Sequence, residues 1–111
     1  MSIDIQVQQI GGSTVISVRG EVDLYSSPGL RQEIKKQVKK RPAVLVVELS
    51  RVEYMDSSGV ATLVEGLKNI GKKGGTLKLA GLTDPVQQVF RFAHLDKVFE
   101  IYPDLNGALA R

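Results

Sequence analysis

The chain has 111 residues, 42% hydrophobic and 24% charged, a size and composition that suit one small globular domain. It has no cysteine, which excludes a disulfide framework, a thiol nucleophile and a cysteine metal site. No apolar run approaches the roughly 20 residues that span a bilayer. Met1-Ser2-Ile3-Asp4 lacks the basic-then-apolar pattern of a secretory leader. The expectations are therefore one domain over residues 1–111, no membrane insertion and a cytoplasmic location. The formal charge is +3, and Lys35, Lys36, Lys39, Lys40 and Arg41 carry much of the excess. Cations in the last turn of a helix complement its dipole. With only 5% aromatic residues there is no stacking platform for bases, and direct nucleic-acid binding is not expected.

The elements follow in chain order. Residues 3–10 alternate, with Ile3, Ile5 and Val7 on one side, which predicts a half-buried strand. Gly11-Gly12 signals a hairpin turn into a partner strand over 14–19. The strand is expected to break at Gly20-Glu21-Val22-Asp23. Ser26-Ser27-Pro28 reads as a helix start, with serine capping and proline in the first turn. Leu30, Ile34 and Val38 give that helix its apolar stripe, and Pro42 closes it. Ala43 to Leu49 is a short apolar run of the kind that forms a strand buried on both faces.

After Asp56, the residues Val60, Leu63, Val64, Leu67 and Ile70 keep the spacing of an amphipathic helix. Gly66 interrupts it at a propensity cost of about 1 kcal/mol, which close packing against a neighbour would explain. Gly71, Gly74 and Gly75 stop the helix. Thr76 to Leu82 alternates as a strand. Asp84-Pro85 opens a helix with Val86, Val89, Phe90 and Ala93 on one stripe. Val98 to Tyr102 reads as an edge strand and Pro103 to Leu109 as a last short helix. Helical crossovers favour parallel strands, and the hairpin adds an antiparallel pair. The predicted fold is a single α/β domain: a mixed β-sheet opened by a β-hairpin, with helices packed on one face.

No catalytic constellation is evident. His94 is the only histidine and reads as structural, near a helix end. There is no Gly-x-Ser-x-Gly elbow, no phosphate loop and no dinucleotide fingerprint. The expectation is no enzyme, no metal and no cofactor. What remains is Asp56-Ser57-Ser58-Gly59, two hydroxyls and a carboxylate at a strand-to-helix junction. A helix start offers free N–H groups and the positive end of the dipole. A serine there is either a helix cap or a place for a phosphate. Asp56 or Ser57 would supply the cap.

Three stretches carry a family resemblance. Gly20-Glu21-Val22-Asp23, Met55-Asp56-Ser57-Ser58-Gly59 and His94-Leu95-Asp96-Lys97-Val98-Phe99 resemble the loop, phosphorylation motif and late hydrophobic segment of the STAS family. Within it, the likeness is to the bacterial anti-sigma-factor antagonists. The resemblance implies a transcription-regulating phosphoprotein that works by partner switching. Its unphosphorylated form would bind an anti-sigma factor that is also a serine kinase, releasing the sigma factor. Phosphorylation of Ser57 would end that binding, and a metal-dependent serine phosphatase would restore it. ATP and magnesium would belong to the kinase.

The resemblance assigns Ser57 as phosphoacceptor, with Ser58 as second choice or cap. Asp56 would position the hydroxyl, contact the kinase or cap the helix. Asp23 would belong to the partner-facing loop or be a plain turn residue. Gly59 would let the partner backbone come close or keep the first turn open. The run continues Gly59-Val60-Ala61 where many antagonists have Gly-Leu-Gly, a difference that bears on fit to a particular kinase. A second reading is a non-switching STAS accessory subunit of a transporter or stress-signalling complex. A small enzyme or nucleotide-binding domain is a third, disfavoured by the missing nucleophile–base pair.

Overall fold

The computed structural model describes residues 3–110. Strands β1 (Ile3–Ile10) and β2 (Ser13–Val22) form an antiparallel hairpin. Ile10 pairs with Ser13, so Gly11-Gly12 is the whole turn, and Gly11 takes a φ of 60° that suits glycine. Helix α1 (Ser27–Lys39) leads to β3 (Val44–Met55), then α2 (Ser57–Lys72), β4 (Thr76–Ala80), α3 (Asp84–Phe92), β5 (Glu100–Tyr102) and α4 (Leu105–Leu109). The sheet order is β1-β2-β3-β4-β5, antiparallel only at the β1–β2 pair. The mixed sheet opened by a hairpin is thus the observed architecture.

Two strands outrun the sequence expectation. β2 does not break at Gly20 but continues to Val22, and β3 does not stop at Leu49 but reaches Met55. The charged and polar stretch Ser50 to Tyr54 looks like loop by composition. It stays in the sheet because β2 offers it a parallel partner, with Arg19 opposite Arg51 and Val22 opposite Met55. The register shifts twice, each time giving β3 one extra residue. Side chains alternate along a strand, so one extra residue reverses the phase. That is why Leu49, Val52 and Met55, spaced by three, are all buried in the same core.

The main core lies between the sheet and helices α1, α2 and α3. Ile16, Val18, Leu45, Val47, Leu77 and Leu79 face Leu30, Ile34, Leu63, Ile70, Val86 and Phe90. Gly66 is explained: a β-carbon there would stand 2.9 Å from Ile34 Cγ2 and 3.3 Å from Leu77 Cδ1, so α2 seats close to α1 and β4 because it carries no side chain at that point. Ala93 does not join the α3 stripe but caps the helix end, exposed. The helices are not all on one face. Short α4 packs Leu105, Ala108 and Leu109 with Val15, Val46 and Ala80, which point from the sheet's other side. Residues Val15 and Val46 alternate with the core residues Ile16, Leu45 and Val47, so they need cover of their own.

Candidate functional site

The site forms where β2 and β3 end side by side. Val22 and Met55 are paired, and the Asp56 N–H donates to the Val22 carbonyl at 3.1 Å. The chain then leaves β2 through the Asp23 loop and leaves β3 directly into α2. Asp23 and Asp56, 33 positions apart in sequence, therefore open adjoining segments.

Asp56 is the cap of α2. Its extended backbone (φ −104°, ψ −172°) lets Oδ1 accept from the Ser58 N–H at 2.9 Å and from the Ser58 hydroxyl at 2.5 Å. Its carbonyl accepts from the N–H groups of Gly59 and Val60. The choice between Asp56 and Ser57 as cap is thus decided for Asp56. The Ser58 hydroxyl is occupied by that carboxylate. Ser57 is exposed, and its hydroxyl makes no hydrogen bond among the described residues. Two adjacent serines of identical chemistry are distinguished by which one the cap holds.

The Asp23 loop is built by reciprocal bonds. Asp23 Oδ1 accepts from the Tyr25 N–H at 2.9 Å and the Ser26 N–H at 3.0 Å, while the Ser26 hydroxyl accepts from the Asp23 N–H at 2.9 Å. The same hydroxyl donates to the Glu21 carbonyl at 2.7 Å, and the Ser27 N–H donates to the Asp23 carbonyl at 2.8 Å. This corrects the sequence expectation of serine capping. Ser26 precedes α1 but makes no side-chain bond into the helix; its hydroxyl clips the loop shut. The Ser26 N–H, aided by that of Tyr25, holds the Asp23 carboxyl below its ordinary pKa.

Gly59 is not at the surface. It is buried, and a β-carbon there would lie 2.6 Å from Met55 Cγ and 2.7 Å from Val22 Cγ1. Its lack of a side chain lets the first turn of α2 sit on the two strand ends. Of the two roles expected for Gly59, the packing accounts for the one within the fold, at the first turn of α2. Sequence reasoning missed three exposed apolar side chains near the ends of β2 and β3. Leu24, Tyr25 and Tyr54 are 67%, 81% and 49% exposed. Leu24 and Tyr25 form the tip of the Asp23 loop, and Tyr54 is two residues before Asp56. Tyrosine and leucine in a turn carry no periodic signal; only their exposure sets them apart.

Among the described residues no three His, Asp or Glu side chains are grouped to hold a metal. His94 is exposed and ends α3 with a φ of 58°. No helix of the described residues is long and apolar enough to cross a membrane.

The STAS domain model matches residues 4–108. The anti-sigma-B factor antagonist of Bacillus subtilis is 31% identical over 109 residues, covering 98% of this chain and 99% of that protein. A crystal structure of an anti-sigma factor antagonist from Mycobacterium paratuberculosis superposes with a TM-score of 0.91 at 33% identity, covering 97% of this chain and 92% of that one. The Bacillus cell fate determinant SpoIIAA, in its phosphorylated form, shares the fold with a TM-score of 0.76 at 21% identity, covering 97% of this chain and 98% of that one.

Proposed function

This chain belongs to the STAS domain family, and from that premise we propose that it is an anti-sigma-factor antagonist switched by phosphorylation of Ser57. The unphosphorylated form binds an anti-sigma factor that acts as a serine kinase, and so frees a sigma factor. The phosphorylated form does not bind, and a serine phosphatase reverses the modification. The chain itself performs no catalysis.

The observation that carries this reading is the difference between two neighbouring hydroxyls. Ser58 is bonded to the Asp56 carboxylate, while Ser57 is exposed and unbonded at the start of α2. A kinase reaches Ser57 without breaking a hydrogen bond of the fold. The phosphate would add about −1.5 to −2 charges at pH 7. The helix N-terminus tolerates that charge locally, so the domain stays folded. A partner seated there faces the new charge beside Asp56 and the Asp23 loop. Every 1.4 kcal/mol of lost interface energy weakens binding tenfold, so modest repulsion suffices to exchange partners. Leu24 and Tyr25, at the tip of the adjoining Asp23 loop, supply the apolar anchors that such an interface needs.

The test is intact-mass measurement and peptide mapping of the protein from its native host, with phosphatases blocked. One phosphoryl group on Ser57 is expected. Ser57→Ala is expected to abolish it while retaining the partner, and to alter stability by no more than about 0.5 kcal/mol, since an exposed unbonded side chain is lost. Phosphate found only on Ser58 would refute the assignment.

A further inference from the structure

The sheet face turned away from α1 and α2 is only partly covered. Helix α4 takes the end near Ile10, Val15, Val44 and Val46. The other end holds a groove of about 460 Å³ whose polar lining is Asp4, Gln6, Ser17, Arg19, Glu48 and Arg51. These residues lie in two rows across three strands. Asp4 is paired with Arg19, and Arg19 with Arg51; Gln6 is paired with Ser17, and Ser17 with Glu48.

Arg51 is in this groove because of a register shift. Glu48 and Arg51 are three apart, so in a regular strand they would point to opposite faces. The extra β3 residue opposite the Ser17–Arg19 step turns Arg51 to the side of Glu48 and sets it beside Arg19. Bulges commonly re-aim a side chain in this way. The result is two arginines paired across neighbouring strands, where like charges disfavour each other. Asp4 and Glu48 line the same groove, but neither is in salt-bridge contact with them. Neither arginine makes an ion pair among the described residues, although Asp4 is in register with Arg19. Glu48 instead accepts from the Ser50 N–H at 3.1 Å. Both arginines are exposed.

We propose that this groove binds a small molecule carrying an oxyanion, a phosphate or a carboxylate, bridged by Arg19 and Arg51. The planar guanidinium fork matches either group. Two forks side by side present donors on both flanks of one anion, and the anion relieves their mutual repulsion. The Ser17 hydroxyl and the Gln6 amide supply hydrogen bonds to the rest of the ligand. The groove has the size of an ordinary small-molecule pocket. It opens on the opposite sheet face from α2 and does not depend on the phosphorylation of Ser57.

The test uses the full chain labelled with ¹⁵N, titrated at fixed ionic strength with inorganic phosphate, with citrate, and with chloride as control. Arginine Nε–H signals are followed by NMR. The expected result is a saturable shift confined to Arg19 and Arg51, with phosphate or citrate binding more tightly according to the head group the site prefers. Arg19→Gln and Arg51→Gln each weaken binding at least tenfold, while Arg31→Gln, on the helix layer, binds as wild type. Shifts spread evenly over the arginines and reproduced by chloride would overturn the proposal. So would undiminished binding by both groove variants.

Discussion

Asp56 caps α2, and the proposed function gives it a second task, contact with the partner, which one substitution pair can separate from the first. In Asp56→Ala the Ser58 N–H and the Ser58 hydroxyl lose their common acceptor, Oδ1. Loss of an N-cap acceptor costs about 1 kcal/mol. The Ser58 hydroxyl is half-buried and finds water, so it adds little. Unfolding entropy is about 2.1 cal/mol/K per residue. For 111 residues that is about 0.23 kcal/mol/K, and a 1 kcal/mol loss lowers the melting temperature by about 4 °C. Asp56→Asn keeps an acceptor oxygen in the same place and is expected to restore most of that loss, because asparagine caps about as well as aspartate. Calorimetry on the three proteins at pH 7 is the assay. An Asp56→Ala melting temperature equal to wild type would refute the cap's energetic role. An Asp56→Asn variant as unstable as Asp56→Ala would show that charge, not the acceptor, matters there. If Asp56→Asn folds normally but loses the anti-sigma factor, the carboxylate belongs to the partner as well.

Two further predictions test the same junction. Gly59→Ala places a β-carbon 2.6 Å from Met55 Cγ and 2.7 Å from Val22 Cγ1; overpacking of about 1–3 kcal/mol exceeds the helix-propensity gain of about 1 kcal/mol, so urea unfolding should show a net loss. Gly71→Ala, with nothing within 4 Å of its β-carbon, is the control and should gain up to about 1 kcal/mol; a Gly59→Ala variant stabilised as much as Gly71→Ala would contradict the packing described. The Asp23 carboxyl, lowered from its ordinary 3.8 chiefly by the Ser26 N–H, has a depressed folded-state pKa. Its stabilising contribution is therefore complete above the ordinary value and is lost as pH falls through the lowered one. The stability gap between wild type and Asp23→Asn should narrow on acidification over that range, and a carboxyl titration midpoint at or above the ordinary value would contradict this.

Much of the candidate site was legible in the linear chain. Asp56-Ser57-Ser58-Gly59 follows a strand and opens a strongly periodic helix, and a helix start needs a cap within a residue or two of its first turn. The interaction is local, so local sequence carries it. The hairpin glycines and the stripes of α1, α2 and α3 were legible for the same reason. Gly66 drew notice as a break in a good pattern, but its neighbours Ile34 and Leu77 come from other elements and appear only on folding. Leu24, Tyr25 and Tyr54 gave no signal at all, because exposure is a property of the whole surface.

The sequence by itself determined the order and type of most elements, since periodicity of two or 3.6 residues reports which face of each segment is apolar. It also placed the helix cap and the paired hydroxyls at one junction. Tertiary structure alone decided how far β2 and β3 run, because a polar stretch such as Ser50 to Tyr54 remains a strand only when a neighbouring strand satisfies its backbone groups. It decided that Gly59 faces the strand ends. It put α4 on the second sheet face and set Arg19 beside Arg51. Each of these depends on which residues meet across strands or layers, and sequence spacing carries no record of such distant pairings.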